Sequence, residues 1–275
     1  GTSGFVGRAL CSTLLAQGYT VRAAVRSVNS NLSADGLDVV AVGNVGAQTD
    51  WSVAFTGVDC VIHCAARAHV MHETEADALL AYRAVNVAGT QRLAEQAAEL
   101  GVRRLVFLSS IKVNGEQAAL GAPFLFSDAP APEDPYGVSK WEAEQALWVV
   151  LAQTGLEVVV VRTPLVYGPG AKGNLLRLLR WVASGVPLPL GAVKNQRSLL
   201  GLSNLVDLLL HCIEHPAAVG QTFLASDGHD LSTPQLIRLL AEGMNRPARL
   251  MSVPVPLLQA GGLLLGKRDE INRLV

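Results

Sequence analysis

Charge is sparse in this sequence. Only 16% of its 275 residues are charged, 22 basic against 23 acidic, and no block of one sign occurs anywhere along it. Nucleic acids and anionic membranes are gripped by clustered lysine and arginine, and neither footprint is present. Long apolar runs are missing as well. The segment 253–265 is interrupted by Pro254, Pro256, Gly261 and Gly262, and is shorter than the ~20 residues that a bilayer-spanning helix needs. No secretory signal pattern is visible, so the cytoplasm is the expected address. Cysteine is equally sparse. Cys11, Cys60, Cys64 and Cys212 sit inside apolar stretches with no disulfide framework, which predicts reduced core thiols. Cys60 and Cys64 have no second ligand pair near them, so no metal site is expected there.

What remains is an apolar half of the chain, enough to bury a large core. In the first two thirds, short β-branched runs alternate with helical patterns. Strands are predicted over 21–26, 39–42, 60–64, 105–109 and 158–162, and helices over 5–17, in a long stretch reaching Leu100, and over 136–154. That alternation predicts an α/β fold with a doubly wound parallel sheet. Beyond Arg162, Pro164, Pro169, Pro187 and Pro189 cut the chain into shorter pieces, with helices predicted over 175–184, 205–215 and 233–244. The expected division is a dinucleotide-binding domain over 1–165 and a smaller substrate-binding lobe over 166–275, with part of 197–225 returning to the first domain. Such sheets bind ligands beyond the carboxyl ends of their strands, so the lobe is expected to close over that edge.

The chain opens at Gly1, without a methionine, inside what reads as a strand-to-helix turn. A strand is expected to precede it, because a doubly wound sheet lacking its central first strand would expose two ladder edges and split its core. The stop at Leu274-Val275 is equally abrupt.

Gly1-Thr2-Ser3-Gly4-Phe5-Val6-Gly7 is a GxxGxxG run opening a helix. Glycines admit a pyrophosphate close to the backbone, and the free amides and dipole of the helix favour the anion. An NAD site commonly carries a carboxylate at the end of the following strand. Here that segment ends in Arg26, whose guanidinium suits a 2′-phosphate and favours NADP(H), with NAD(H) the alternative.

Asp134-Pro135-Tyr136-Gly137-Val138-Ser139-Lys140 contains Tyr-x-x-x-Lys at a helix start. The spacing puts phenol and ammonium on one face, and a neighbouring cation is expected to draw the tyrosine pKa down toward working pH. Such a phenol exchanges a proton with a carbonyl oxygen while a nicotinamide carries hydride. The strand over 105–109 leads into Ser109-Ser110, and a serine hydroxyl there can donate to the same oxygen.

Together with Gly43-Asn44-Val45, His63-Cys64-Ala65-Ala66, Asn86-Val87-Ala88-Gly89-Thr90 and the run from Arg162 to Gly170, these motifs resemble the extended short-chain dehydrogenase/reductases. That is the NAD-dependent epimerase/dehydratase group, with its Rossmann sheet and C-terminal substrate lobe. The resemblance implies a catalytic triad of Ser110, Tyr136 and Lys140. It assigns the cofactor to Gly1, Gly4, Phe5, Val6, Gly7, Arg26, Asn44, Val45, Cys64, Ala65, Ala66, Asn86, Ser109 and Pro164, besides Tyr136 and Lys140. It assigns a nucleotide-linked sugar to Ser110, Lys112, Tyr136, Asn174, Leu188, Leu190 and Arg197, and a homodimer to the two long helices.

Dehydratases of this group carry Thr-Asp-Glu where this chain has Ser110-Ile111-Lys112, so dehydration is not expected. Two reactions remain. The reading favoured by Arg26 is reduction of a UDP-4-keto-6-deoxy-N-acetylhexosamine, as in enzymes of surface-polysaccharide synthesis. The alternative is a UDP-glucose 4-epimerase type with retained NAD. A small-ketone reductase has no diphosphate for Asn174 and Arg197 to hold, and a non-catalytic dinucleotide-binding regulator has no use for Tyr136 and Lys140. His69 and His72 are expected at the rim of the site or in solvent rather than on a metal.

Overall fold

A computed structural model describes residues 1–27, 36–68, 77–118, 122–171, 173–264, 266 and 274. The chain divides into two compact units: Gly1–Pro164 with Leu202–Ala225, and Leu165–Gly201 with Ser226–Val275. The described strands are β1 (Val21–Val25), β2 (Leu37–Ala41), β3 (Cys60–His63), β4 (Arg104–Ser110), β5 (Glu157–Thr163), β6 (Leu165–Tyr167), β7 (Leu199–Gly201) and β8 (Thr222–Leu224). The helices are α1 (Phe5–Ala16), α2 (Ser52–Phe55), α3 (Ala78–Tyr82), α4 (Gly89–Glu99), α5 (Pro135–Thr154), α6 (Asn174–Ser184), α7 (Leu202–Glu214), α8 (Thr233–Gly243) and α9 (Val255–Leu264).

The first unit is a parallel α/β assembly. Strands β3, β4, β5 and β8 pair in that order, all parallel, while β1 and β2 form a separate parallel pair. Gly1 and Thr2 touch both sheets. A Cβ on Gly1 would lie 2.5 Å from the Cys64 carbonyl carbon, and the Thr2 hydroxyl donates to the Ala24 carbonyl at 2.9 Å.

Strands β4 and β5 are buried almost end to end, as expected of central parallel strands covered on both faces. One covering layer is α4 and α5. Ala94 and Ala97 on the first and Ala143 and Leu147 on the second are fully buried against Leu105, Phe107, Val158 and Val160. Trp51 and Phe55 stack at 5.5 Å in the same core.

The long helix expected to reach Leu100 is not uniform. Between α3 and α4, residues Arg83–Ala88 form a wide π turn, and Asn86 within it is buried. The turn also sets Gly89 against the loop after β2, where a Cβ would meet Val45 Cγ1 at 2.6 Å.

The second unit holds the parallel pair β6–β7 and a core of Leu178, Val182, Leu188, Leu190, Ile237 and Leu258, drawn from α6, α8, α9 and the connecting loop. Helix α8 is opened by a capping box between Ser232 and Gln235. Among the described residues, no helix is long and apolar enough to cross a membrane.

Candidate active site

Strand β4 delivers Ser109 and Ser110 to its carboxyl end, and one 3-10 turn, Ile111–Val113, follows. Helix α5 starts beside that turn because its first residues are built for a helix N-terminus. Asp134 accepts from the Gly137 amide at 2.6 Å, and Pro135 occupies the first turn, where no amide hydrogen is needed. Gly137 has room for nothing larger: its Cβ would stand 2.8 Å from the Lys112 carbonyl oxygen.

This close approach sets the Tyr136 phenol beside the Ser110 hydroxyl, close enough for Ser110 to influence its titration. The Tyr136 ring lies edge-on to Tyr82, with centroids 6.1 Å apart, and Arg67 sits over the other ring at 5.6 Å. One turn along α5, the Lys140 amine donates to the Leu108 carbonyl at 2.7 Å and rests 3.7 Å from the centre of the Phe107 ring.

The electrostatics differ from the sequence expectation. Burial pushes the Tyr136 phenol up to about 12, with the Ser110 hydrogen bond acting in the opposite direction. The Lys140 amine is the group that moves toward neutrality. Burial pulls it down to about 7, against the charge of Glu144. The lysine points into the sheet rather than along the helix surface toward the phenol, so here it does not depress the tyrosine.

The glycine-rich turn fits a dinucleotide diphosphate. Helix α1 begins at Gly4 without a side-chain cap and without an acid in its first turn, so its leading amides are left for an anion. The turn is tight: the Gly4 amide donates to the Gly1 carbonyl at 2.9 Å, and a Cβ on Gly7 would collide with that same oxygen at 2.3 Å. Phe5 and Val6, half-buried, open the helix. Cys64 and Ala65 meet the turn through their backbones, with Ala66 exposed beyond them. Burial raises the Cys64 thiol to about 11, so it behaves as a packed thiol and not a nucleophile. Asn44 is exposed and Val45 half-buried after β2, and Pro164 is half-buried after β5. Arg26 is exposed past β1, without an ion-pair partner among the described residues.

Three expected ligand contacts are occupied by the protein itself. The Asn86 carboxamide bridges Arg67, accepting from its amide at 2.7 Å and donating to its carbonyl at 3.0 Å, and also donates to the Ser139 hydroxyl at 2.9 Å. The Ser109 hydroxyl donates to Glu144 at 2.5 Å. The Lys112 ammonium is held by Asp134 and by Glu116, the latter at 2.6 Å.

In the second unit, Asn174 opens α6 and is exposed, after Gly173 in a left-handed conformation (φ +71°). Arg197 is half-buried, burial pulls its guanidinium pKa down, and its backbone pairs with Leu231. Leu188 and Leu190 were expected to contact the nucleotide-linked sugar. Both side chains lie in the core, and the Leu188 amide and carbonyl bond to Arg249 and Met251. Among the described residues, no group of three potential ligands could hold a metal, and His69 and His72 lie outside those residues.

Residues 1–225 match the NAD dependent epimerase/dehydratase family. The chain belongs to that family. Among curated relatives, the chain is 47% identical over 277 residues to a UDP-glucose 4-epimerase of Vibrio cholerae, covering 100% of this chain and 83% of the relative. It is 28% identical to an N-acetyl-alpha-D-glucosaminyl-diphospho-ditrans,octacis-undecaprenol 4-epimerase of Escherichia coli O157:H7, covering 95% and 76%. A solved structure of MoeE5 with UDP-glucose and NAD superposes with a TM-score of 0.77 at 26% identity, covering 92% of this chain and 83% of that one.

As an epimerase/dehydratase family member, the chain is an enzyme with a Rossmann-type parallel fold, an extended short-chain dehydrogenase/reductase as its motifs implied. Its site pairs a half-buried tyrosine with a serine hydroxyl, one helical turn from a buried amine. That set can take a proton from an alcohol and return it. Sequence reasoning passed over Tyr82, Phe107, Asn114, Glu144 and Arg162, all buried around this group. Only Glu144 had a legible signal, its place four residues after Lys140 on the same helix face.

Proposed function

We propose that this enzyme is an NAD-dependent nucleotide-sugar 4-epimerase that acts on a UDP-hexose. The carrying observation is Tyr136 beside Ser110 with Lys140 one turn on, in a chain 47% identical to a UDP-glucose 4-epimerase. The nicotinamide, when bound, accepts hydride from a sugar carbon and returns it, so the reaction has no net redox change. Tyr136, as its phenolate, takes the proton of the C4 hydroxyl and gives it back once the ketone has turned its other face. Ser110 hydrogen-bonds the same oxygen, and Lys140 holds the nicotinamide ribose. Gly1, Gly4 and Gly7, with Phe5 and Val6, hold the diphosphate of the cofactor, while Asn174 and Arg197 hold that of the sugar nucleotide. Ile111 and Lys112 follow Ser110 and supply no carboxylic acid to expel water from the sugar. A homodimer through α4 and α5 belongs to the same reading.

A second reading rests on Arg26. Its exposed guanidinium past β1 suits the 2′-phosphate of NADPH and with it a one-way reduction of a 4-keto sugar. The identity to a 4-epimerase supports the first reading over this one. The two are separated by incubating the purified enzyme with UDP-glucose and NAD, and in parallel with UDP-4-keto-6-deoxy-N-acetylhexosamine and NADPH. Epimerisation yields UDP-galactose with no cofactor consumed. Stoichiometric loss of NADPH with no UDP-galactose establishes the reductase.

A further inference from the structure

Three consecutive residues of β4 face α5. Lys140 donates to the Leu108 carbonyl at 2.7 Å, Glu144 accepts from the Ser109 hydroxyl at 2.5 Å, and Tyr136 stands beside Ser110. The three helix residues are spaced by four, so one face of the helix is stitched to the end of one strand. Glu144 and Arg162 are a buried pair of opposite charges in this seam, at 0% and 4% exposure, beside the buried Lys140. Arg162, from β5, donates to Glu144 through Nη2 at 2.6 Å and Nε at 3.1 Å, and to the Asn114 carboxamide oxygen at 2.9 Å. A buried ion pair is weak evidence for stability, because desolvating both charges offsets their attraction. A forked guanidinium bonded at two points does fix direction.

We infer that Glu144 is a positioning residue for the Ser110–Tyr136–Lys140 group, clamped by Arg162 so that the carboxyl end of β4 and the face of α5 keep a single registry. This rests on the proposed roles of those three residues. Glu144 touches no reacting atom. It fixes Ser109, and through it the direction of Ser110, while its charge lies on the Lys140 side of the helix and favours the ammonium.

Two variants test the clamp. Ser109→Ala removes only the strand-to-helix bond. Glu144→Met with Arg162→Met removes both charges of the pair together, so neither is left buried without the other, and Lys140 loses the charge that favours its ammonium. Each is compared with the intact enzyme for thermal midpoint, NADH affinity by fluorescence, and kcat and KM with UDP-glucose. The expected result is a kcat lowered about tenfold or more in both, as a small misplacement of reacting groups produces. KM and NADH affinity stay within about twofold, and the doubly substituted protein keeps a midpoint close to that of the intact enzyme. A folded variant of either kind with kcat within about twofold of the intact enzyme overturns the inference. If the double variant does not fold, Ser109→Ala decides alone. Tyr136→Phe is measured alongside. Its retention of activity would sink the triad reading itself, whereas its loss beside active clamp variants would sink only the role of Glu144.

Discussion

In the proposed mechanism Tyr136 carries the proton; burial raises its phenol to about 12, so its turn as base requires the phenolate, which the positive charge of an oxidised nicotinamide would favour. A phenylalanine there keeps the ring packing against Tyr82 and removes only the proton carrier. Tyr136→Phe is expected to cut kcat about a hundredfold or more while NADH binding is unchanged, measured by fluorescence titration. Lys140 makes a second residue-level prediction. Its folded pKa of about 7 lies below the ordinary lysine value, so the folded state binds fewer protons than the unfolded state between about 7 and the usual range. Stability therefore rises with pH through that window. The cost of burying the ammonium is full below about 7 and fades above it. Lys140→Met, melted without added cofactor, should gain more in thermal midpoint at pH 6 than at pH 9; an equal gain at both would refute the buried cation. The lysine's inward turn was not legible in the spacing, which places two residues on one face but leaves a long side chain free to follow the face or the core.

At the scale of elements, the site depends on how closely α5 approaches the turn after β4. Gly137→Ala pushes a methyl to 2.8 Å from the Lys112 carbonyl and must move the helix. A loss of about 1–3 kcal/mol in chemical denaturation is expected, with activity falling further than stability explains. Leu147→Ala, in the core between α5 and β4, is expected to cost about 2–5 kcal/mol and leave kcat near normal below the melting range. The main strands and helices were legible because β-branched runs and apolar spacing persist over whole elements. Strands β6, β7 and β8, three residues each, are too short to show a period. The π turn at Arg83–Ala88 was hidden for a different reason. A helix that widens by one residue keeps its composition, and only the inward turn of Asn86 toward Arg67 and Ser139 reveals it. The Glu144–Arg162 pair was hidden likewise, since 18 residues of separation become contact only through the register of β5 beside α5.

At the scale of the molecule, two units are joined by a chain that leaves the first at Pro164, returns at Leu202 and leaves again at Ala225. In the sequence, proline spacing suggested a division near 165, and part of 197–225 was expected to return to the first domain. The family motifs carried most of the functional reading, because glycine turns, the serine end of β4 and Tyr-x-x-x-Lys each answer to a fixed piece of chemistry. They were weaker on the direction of reaction, where Arg26 drew the sequence reading toward reduction and the relatives support epimerisation. The most direct test of the whole account is proton NMR of UDP-glucose incubated with the purified enzyme and NAD, and no reductant. The account predicts growth of the UDP-galactose anomeric signal to equilibrium, with total NAD unchanged and no growth in Tyr136→Phe. A spectrum that stays pure UDP-glucose, from enzyme that consumes NADPH on a 4-keto sugar, would contradict it.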